Sequence, residues 1–528
     1  MNNRSIKAAK VLVGVFLLVS VIFPLITVFL NINGADIAEI FRTDQFRTYL
    51  WNSLTTTIAA TLLSVGLAFT LAWLINRTKI RYKSLFSVLF TLPMLIPSIS
   101  HGMGLVLLFG DNGLITNMLG INIGLYGPTG IIIGSILYSF PVAFLMLTDI
   151  FRYEDYTTYE SAEVLGVSKL KQFWVITLPN MKMPLISSLF AVFTMIFTDY
   201  GVPLSVGGKT MTLSVYMYRE VIGLLNFSKG AIIGAILLIP AVIAFIIDLK
   251  NEGEHSESTV AKPFDIKVNK KRDIIAYVFC IVTLVLTILP LIAFIILSFV
   301  KKYPIDMSFS LVNVQNAFGL GVGSYLLNSI TIALLTALVG IAVSFFTAFL
   351  TARSKKTFSN LALHLIAMLS LAIPGIVLGL GYVLFFNGTA IYGTITILVL
   401  VNIVHFFASP YLLAYNSLTQ FNESLEDVSM TLGISGWHML KDVYIPCTQD
   451  TIIEMFSYMF VNAMVTISAV SFLANLRNMP ISLLIPQFDS QSLIEATAFI
   501  SVLILVSNIV VKGLVYLTKR YFVKREVA

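Results

Sequence analysis

Residues 203–210, Pro-Leu-Ser-Val-Gly-Gly-Lys-Thr, differ at one position from the phosphate-binding loop G-x-x-x-x-G-K-[ST], with Gly208, Lys209 and Thr210 where a nucleotide's phosphates would be held. That chemistry needs a strand, a glycine-rich turn and a helix N-terminus whose N–H groups point at the anion. Here the run opens on Pro203 behind a long apolar segment, so nucleotide binding is not expected. Just upstream, Thr198 and Asp199 end an apolar stretch in TMIFTDYGVP. An ionisable group in such a place is costly, and it marks a pathway for a polar solute or else caps a helix break before Gly201 and Pro203. His101 and His405 lie in apolar surroundings and are expected to be hydrogen-bonded packing residues rather than metal ligands or proton relays. Cys280 and Cys447 are isolated, so neither a disulfide framework nor a metal cluster is indicated. Without a nucleophile, a metal cluster or an acid–base pair, the chain does not read as an enzyme, and no cofactor is expected.

The elements around these residues are set by composition. With 528 residues, 57% hydrophobic and 12% charged, and a mean hydropathy of +0.90, the chain reads as an all-α polytopic membrane protein embedded in a lipid bilayer. About 20 apolar residues span a bilayer as helix. Spans are therefore expected near 11–30, 50–75, 84–109, 128–149, 183–202, 229–249, 273–300, 325–351, 359–386, 391–415, 450–474 and 492–516, twelve in all. The first, behind MNNRSIKAAK and with no small-residue cleavage site after it, is expected to be retained. Pro93, Pro97 and Pro374, with neighbouring glycines, are expected to break helices. The net charge of +7 does not signal nucleic acid, because the basic residues sit in short loops between spans. Of the 34 Lys and Arg, 26 fall on the side of the termini and 8 on the other. By the positive-inside rule the termini are cytoplasmic.

The hydrophilic run 250–272 divides the chain into two six-helix halves, 1–249 and 273–528, entering the membrane in the same orientation as parallel repeats. Landmarks recur in order: Asn52-Ser53 with Asn328-Ser329 at an offset of 276, Pro97 and Gly102 with Pro374 and Gly379 at 277, and Gly166 and Pro179 with Gly433 and Pro446 at 267.

The last pair lies in two polar, cytoplasmic stretches. In the first, residues 160–165 favour helix, Gly166 can take the left-handed backbone that ends it, and Pro179 suits the first turn of the next membrane helix. A short helix, a turn, a second short helix and re-entry would form a lever across the end of the bundle. Glu160-Ser161-Ala162 to Gly166, then after nine residues Ile176-Thr177-Leu178-Pro179, resembles the signature E-A-A-x-x-x-G…I-x-L-P of the permease subunits of type I, binding-protein-dependent ATP-binding-cassette importers. Asp427-Val428-Ser429, Gly433, Val443, Ile445 and Pro446 form a relaxed second copy with the same spacing.

The resemblance covers both halves and implies the type I importer permease fold, in a bacterial-type plasma membrane. It implies that Glu160, Ser161, Ala162, Gly166, Pro179, Asp427, Ser429, Gly433 and Pro446 belong to coupling helices seated on a separate ATPase dimer, which would hydrolyse the ATP. It also implies an extracytoplasmic solute-binding protein, and a pathway lined by the fifth helix of each half. Thr198 and Asp199, with Asn462, Thr466 and Ser468 in the other half, would then face that pathway, unless the last three are interhelical hydrogen-bond donors and acceptors. Fused permeases of this length resemble those for ferric iron and 2-aminoethylphosphonate, with polyamine and thiamine systems more distant. The wording around 198–231, 392–407 and 460–473 looks most like the aminoethylphosphonate group. An ion-coupled secondary transporter would also have twelve helices, but it calls for more intramembrane acids.

Overall fold

Long apolar runs leave the backbone no solvent partner, so it satisfies itself as helix. The computed structural model describes residues 3–251, 262, 264, 266, 268–354, 357–422 and 424–527. Residues 252–261, 263, 265 and 267 of the expected linker, and Lys355 and Lys356 of the basic tally, lie outside the described residues. Among those described, the one sheet is a hairpin pairing Val300–Lys302 antiparallel with Asp306–Phe309. Seven helices among the described residues are long and apolar enough to cross a membrane, and four further pairs pass when each bent pair counts as one span. Two bends fall where prolines were expected to break helices: Lys83–Leu95 meets Ser98–Leu119 at 98°, with Pro97 between, and Phe358–Ala372 meets Gly375–Phe386 at 111°, with Pro374 between. The stretch expected as a span at 450–474 is helical over Gln449–Val465 and stops at Thr466.

Contacts divide the chain into two compact units. One comprises Phe41–Tyr216 and Ile239–Phe309. In it the helices Asp44–Arg77 and Pro128–Tyr153 meet along a buried row of small residues four apart, Ala60, Ser64, Ala68 and Ala72. Small side chains let apolar helices approach closely where no hydrophobic gradient drives them together. The Ser64 and Ser139 hydroxyls bond across the contact at 2.9 Å. Helix Lys270–Ser298 belongs to this unit. Gly104 admits it: a Cβ there would come within 2.7 Å of the Pro290 side chain.

The other unit comprises Met1–Ile40, Met217–Leu238 and Ser310–Ala528. Its helix Val322–Ala352 carries the corresponding buried row, Thr336, Gly340, Ser344 and Ala348. The chain's first helix, Asn3–Leu17, runs through a π-turn at Leu18–Ile22 into Phe23–Leu30. Pro24 has no N–H to return to the Ser20 carbonyl one turn back. The Tyr382 hydroxyl donates to that carbonyl instead, at 2.8 Å, and Gly381 lets the two backbones touch, since a Cβ would sit 2.7 Å from the Pro24 oxygen. Each unit thus takes its opening helix from the opposite half of the sequence.

Candidate functional site

The two signature stretches fold alike. In the first, Thr157–Val164 is a helix closed by Gly166 at φ +74°. The Gly166 N–H bonds the Glu163 carbonyl at 3.0 Å, and the Val167 N–H bonds the Ala162 carbonyl at 2.9 Å, the pair of reversed bonds that a left-handed terminal residue permits. In the second, Ser424–Thr431 is closed by Gly433 at φ +67°, with Gly433 to Met430 at 3.3 Å and Ile434 to Ser429 at 2.8 Å. Each turn is followed by a four-residue helix whose serine cap, Ser168 or Ser435, accepts a backbone N–H at 3.4 Å, and then by a π-turn. Pro179 and Pro446 open short turns, Leu178–Asn180 and Ile445–Cys447. The long helices begin just beyond the turn residues Met181 and Thr448, at Lys182 and Gln449.

Burial separates the signature positions by role. Ala162 and Ser429 are each only 8% exposed, which explains why small residues stand there. Glu160 is half-exposed, while Ser161 and Asp427 are on the surface. Between and beyond them lies an exposed apolar face: Val164, Leu165 and Leu170 in the first copy, Val428, Met430, Leu432 and Trp437 in the second. Leu165 and Leu432, related by the offset of 267, are 80% and 66% exposed.

An arginine at the end of a long helix braces each loop from behind. Arg77 pairs with Glu154 and donates to the Phe151 carbonyl at 3.2 Å. The Tyr159 hydroxyl donates to the same carboxylate at 2.6 Å and lies 2.8 Å from the Thr177 hydroxyl. Desolvation and the neighbouring carboxylate raise the Tyr159 phenol above its ordinary range, so it stays a donor. Arg353 pairs with Glu426, at 2.7 Å through its Nε, and the Tyr444 hydroxyl donates to that carboxylate at 2.5 Å. Burial, then this bond, pushes the Tyr444 phenol up to about 12.

At the far ends of the fifth helices the expected pathway residues occupy two matching breaks. Asp199 follows Lys182–Thr198 in extended conformation and is buried. Its Oδ1 accepts from the Ser98 hydroxyl at 2.6 Å and its Oδ2 from the Val202 N–H at 2.9 Å. Its carbonyl accepts from the Ser214 hydroxyl at 2.7 Å. Thr198 bonds back to the Thr194 carbonyl at 2.8 Å. In the other unit Thr466 ends its helix in the same way, and its carbonyl accepts from the Ser482 hydroxyl at 2.8 Å. Asn462 bonds the Tyr458 carbonyl at 2.8 Å, and the Ser468 hydroxyl lies against Gly375.

The landmark serines anchor both breaks. Ser53 accepts the Leu213 N–H at 2.7 Å and Ser329 accepts the Ile481 N–H at 2.7 Å. Asn52 and Asn328 reach the carbonyls of Met211 and Met479 at 3.2 and 3.4 Å. Reading the sequence for repeats found these pairs without their task, and it missed Arg77 and Arg353, Ser98, Ser214 and Ser482. The arginines share the 276 offset of the Asn-Ser pairs, a signal that could have exposed them.

Residues 203–210 hold no phosphate cradle. They run from a short helix, Gly201–Val206, into a turn where the Gly207 and Thr210 N–H groups already bond backbone carbonyls. His101 Nδ1 lies 3.3 Å from the Pro97 carbonyl, while its Nε2 has no hydrogen-bond partner among the described residues. His405 instead packs against Gly375 and Phe406, and its Nδ1 has no hydrogen-bond partner among the described residues. Among the described residues no group of three His, Cys, Asp or Glu could hold a metal.

The family model for the binding-protein-dependent transport system inner membrane component matches residues 64–249 and again 340–522. The putative ferric transport system permease protein FbpB 1 of Haemophilus influenzae is 26% identical over 441 residues, covering 78% of this chain and 68% of that protein. The ferric transport system permease protein FbpB of Actinobacillus pleuropneumoniae is 26% identical over 441 residues, 78% of this chain; the match spans 62% of that relative's length. The Fe(3+)-transport system permease protein FbpB 2 of Haemophilus influenzae is 22% identical over 488 residues, 90% of each chain.

Proposed function

The chain belongs to the family of binding-protein-dependent transport system inner membrane components, and on that premise we propose that it is the permease of an ATP-binding-cassette importer. Its halves, 1–249 and 273–528, together form the passage for a small solute. The observation that carries this reading is the pair of exposed apolar faces around Leu165 and Leu432, on loops of the same fold. Large apolar side chains clustered on a water-facing loop mark a surface that a partner covers. The partner is an ATPase dimer, one subunit to each loop, on the cytoplasmic side to which the charge bias assigns the loops and both termini. A solute-binding protein delivers cargo from the opposite side.

The relatives' names favour ferric iron as cargo over 2-aminoethylphosphonate. The Asp199 carboxylate accepts one hydrogen bond on each oxygen, from Ser98 and from the Val202 N–H, and this does not separate the two cargoes. Thr198, Asp199, Asn462, Thr466 and Ser468 remain candidate pathway residues through their positions at the two helix breaks.

Reconstitution of the permease with its ATPase and binding protein tests the reading. ATP-dependent ferric uptake is expected. Uptake driven by an ion gradient without the ATPase would overturn it in favour of a secondary transporter. A binding protein that takes 2-aminoethylphosphonate and not ferric ion would keep the permease role and reject iron.

A further inference from the structure

We infer that the segment joining the two halves is a working part of the first coupling loop: its Lys262 and Phe264 are positioning residues that hold that loop in shape for its ATPase. The inference rests on the coupling role proposed above.

The contacts are specific. The Lys262 N–H donates to Asp155 Oδ1 at 3.0 Å, and its carbonyl accepts the Tyr156 N–H at 3.0 Å. Its ammonium reaches both oxygens of Glu160, at 2.7 and 2.6 Å. Two residues on, the Phe264 ring lies 4.7 Å from that of Tyr156 and 4.8 Å from that of Tyr159, with the Arg77 guanidinium carbon 3.2 Å from its centre. Phe264 packs against a small core made of Tyr156, Tyr159, Ala162 and Ile176. Two of these, Ala162 and Ile176, are signature positions. Phe264 therefore covers the loop's own core, and Lys262 occupies the signature glutamate.

The second loop shows what this contact replaces. There Phe349 of the preceding long helix lies 5.7 Å from the Tyr444 ring, and Phe421, from the loop's own approach, lies 5.3 Å from the same ring at 85°. The equivalent place in the first loop, 267 residues earlier, is Glu154. By the same offset Glu426 corresponds to Tyr159 and Tyr444 to Thr177. Both clasps contain an arginine, a carboxylate, a tyrosine and a phenylalanine, dealt to different positions. Because position 154 already supplies the carboxylate, the first loop has no local aromatic there and borrows one from the linker. The Lys262–Glu160 pair is half-exposed and contributes little by itself. The contacts of the half-buried Phe264 ring with the buried Tyr156 and Tyr159, under the Arg77 cation, carry most of the hold.

Amide exchange on the full-length permease in nanodiscs, with and without its ATPase, tests this. Phe264→Ala is expected to speed exchange over Thr157–Val164 by about tenfold, the loss of one half-buried aromatic cluster with its ion pair loosened. Exchange over Ser424–Thr431 should not change. Phe421→Ala should do the converse, and Phe264→Tyr should restore the first loop. Lys262→Glu should loosen the first loop, and Lys262→Glu with Glu160→Lys should tighten it again, an independent route should Phe264→Ala fail to insert. Unchanged exchange in both Phe264→Ala and Lys262→Glu would overturn the inference. Faster exchange with ATPase binding and uptake unaltered would keep the positioning role and overturn the coupling reading on which its purpose rests.

Discussion

The Ser98 hydroxyl donates to Asp199 Oδ1 at 2.6 Å, joining the start of helix Ser98–Phe109 to the break that ends Lys182–Thr198. The other carboxylate oxygen takes the Val202 N–H, so one buried side chain fixes three segments: two helices and the turn between Thr198 and Gly201. Such a group acts through geometry, and its removal leaves buried donors without acceptors.

Asp199→Asn places an NH2 group against either the Ser98 hydroxyl or the Val202 N–H. With the NH2 donating to the Ser98 oxygen and the amide oxygen keeping the Val202 N–H, the cost is about 1 kcal/mol, whereas Asp199→Ala loses both bonds at about 1–3 kcal/mol. The expected result is a lowered unfolding midpoint in detergent and a reduced maximal uptake rate at unchanged apparent cargo affinity. A large change in affinity with unchanged thermal stability would instead make Asp199 a cargo contact.

Much of this site was legible in the sequence because it is local. Gly166 and Gly433 close helices whose ends follow from backbone sterics within five residues, and Pro97 and Pro374 mark bends that a missing N–H dictates. What could not be read depends on groups meeting from afar. Tyr382 covers the carbonyl that Pro24 leaves open, yet nothing in either residue's neighbourhood names the other. The carboxylate, tyrosine and aromatic of the two clasps exchange places between the repeats, so aligned positions differ while the assembled chemistry agrees. Asp199 was read as pathway or cap: its Oδ2 accepts the Val202 N–H as a cap does, and the Ser98 hydroxyl that meets its Oδ1 comes from 101 residues away.

Gly166→Ala and Gly433→Ala isolate backbone strain. A Cβ at either glycine meets nothing within 4 Å, so the cost is the left-handed conformation alone, about 1–2 kcal/mol. Each variant should loosen its own loop in amide exchange and lower ATPase affinity about tenfold. Full affinity in both would mean that the turns can relax without disturbing the docking face.

Leu165→Glu and Leu432→Glu should leave unfolding unchanged within about 0.5 kcal/mol, since both side chains are exposed. ATPase recovered with the purified permease should fall sharply in each and vanish in the pair. Normal recovery of ATPase with the double variant would show that these faces are not the docking surface.

Arg353 is 3% exposed where Val322–Ala352 ends, and its guanidinium serves several acceptors at once: the Glu426 carboxylate and the carbonyls of Phe421 and Asn422, each of these at 2.9 Å. A lysine ammonium cannot span that fork. Arg353→Lys therefore leaves one or more of these part-exposed acceptors without its arginine partner, at about 1 kcal/mol. Because the acceptors lie on the approach to Ser424–Thr431, faster amide exchange is expected there and not over Thr157–Val164, which Arg77 braces through its own set of partners. Glu426→Gln should be milder, since an amide oxygen still accepts from Tyr444 or from Arg353. If Arg353→Lys left the second loop's exchange unchanged while Glu426→Gln raised it, Tyr444 rather than the arginine would be the support of that loop.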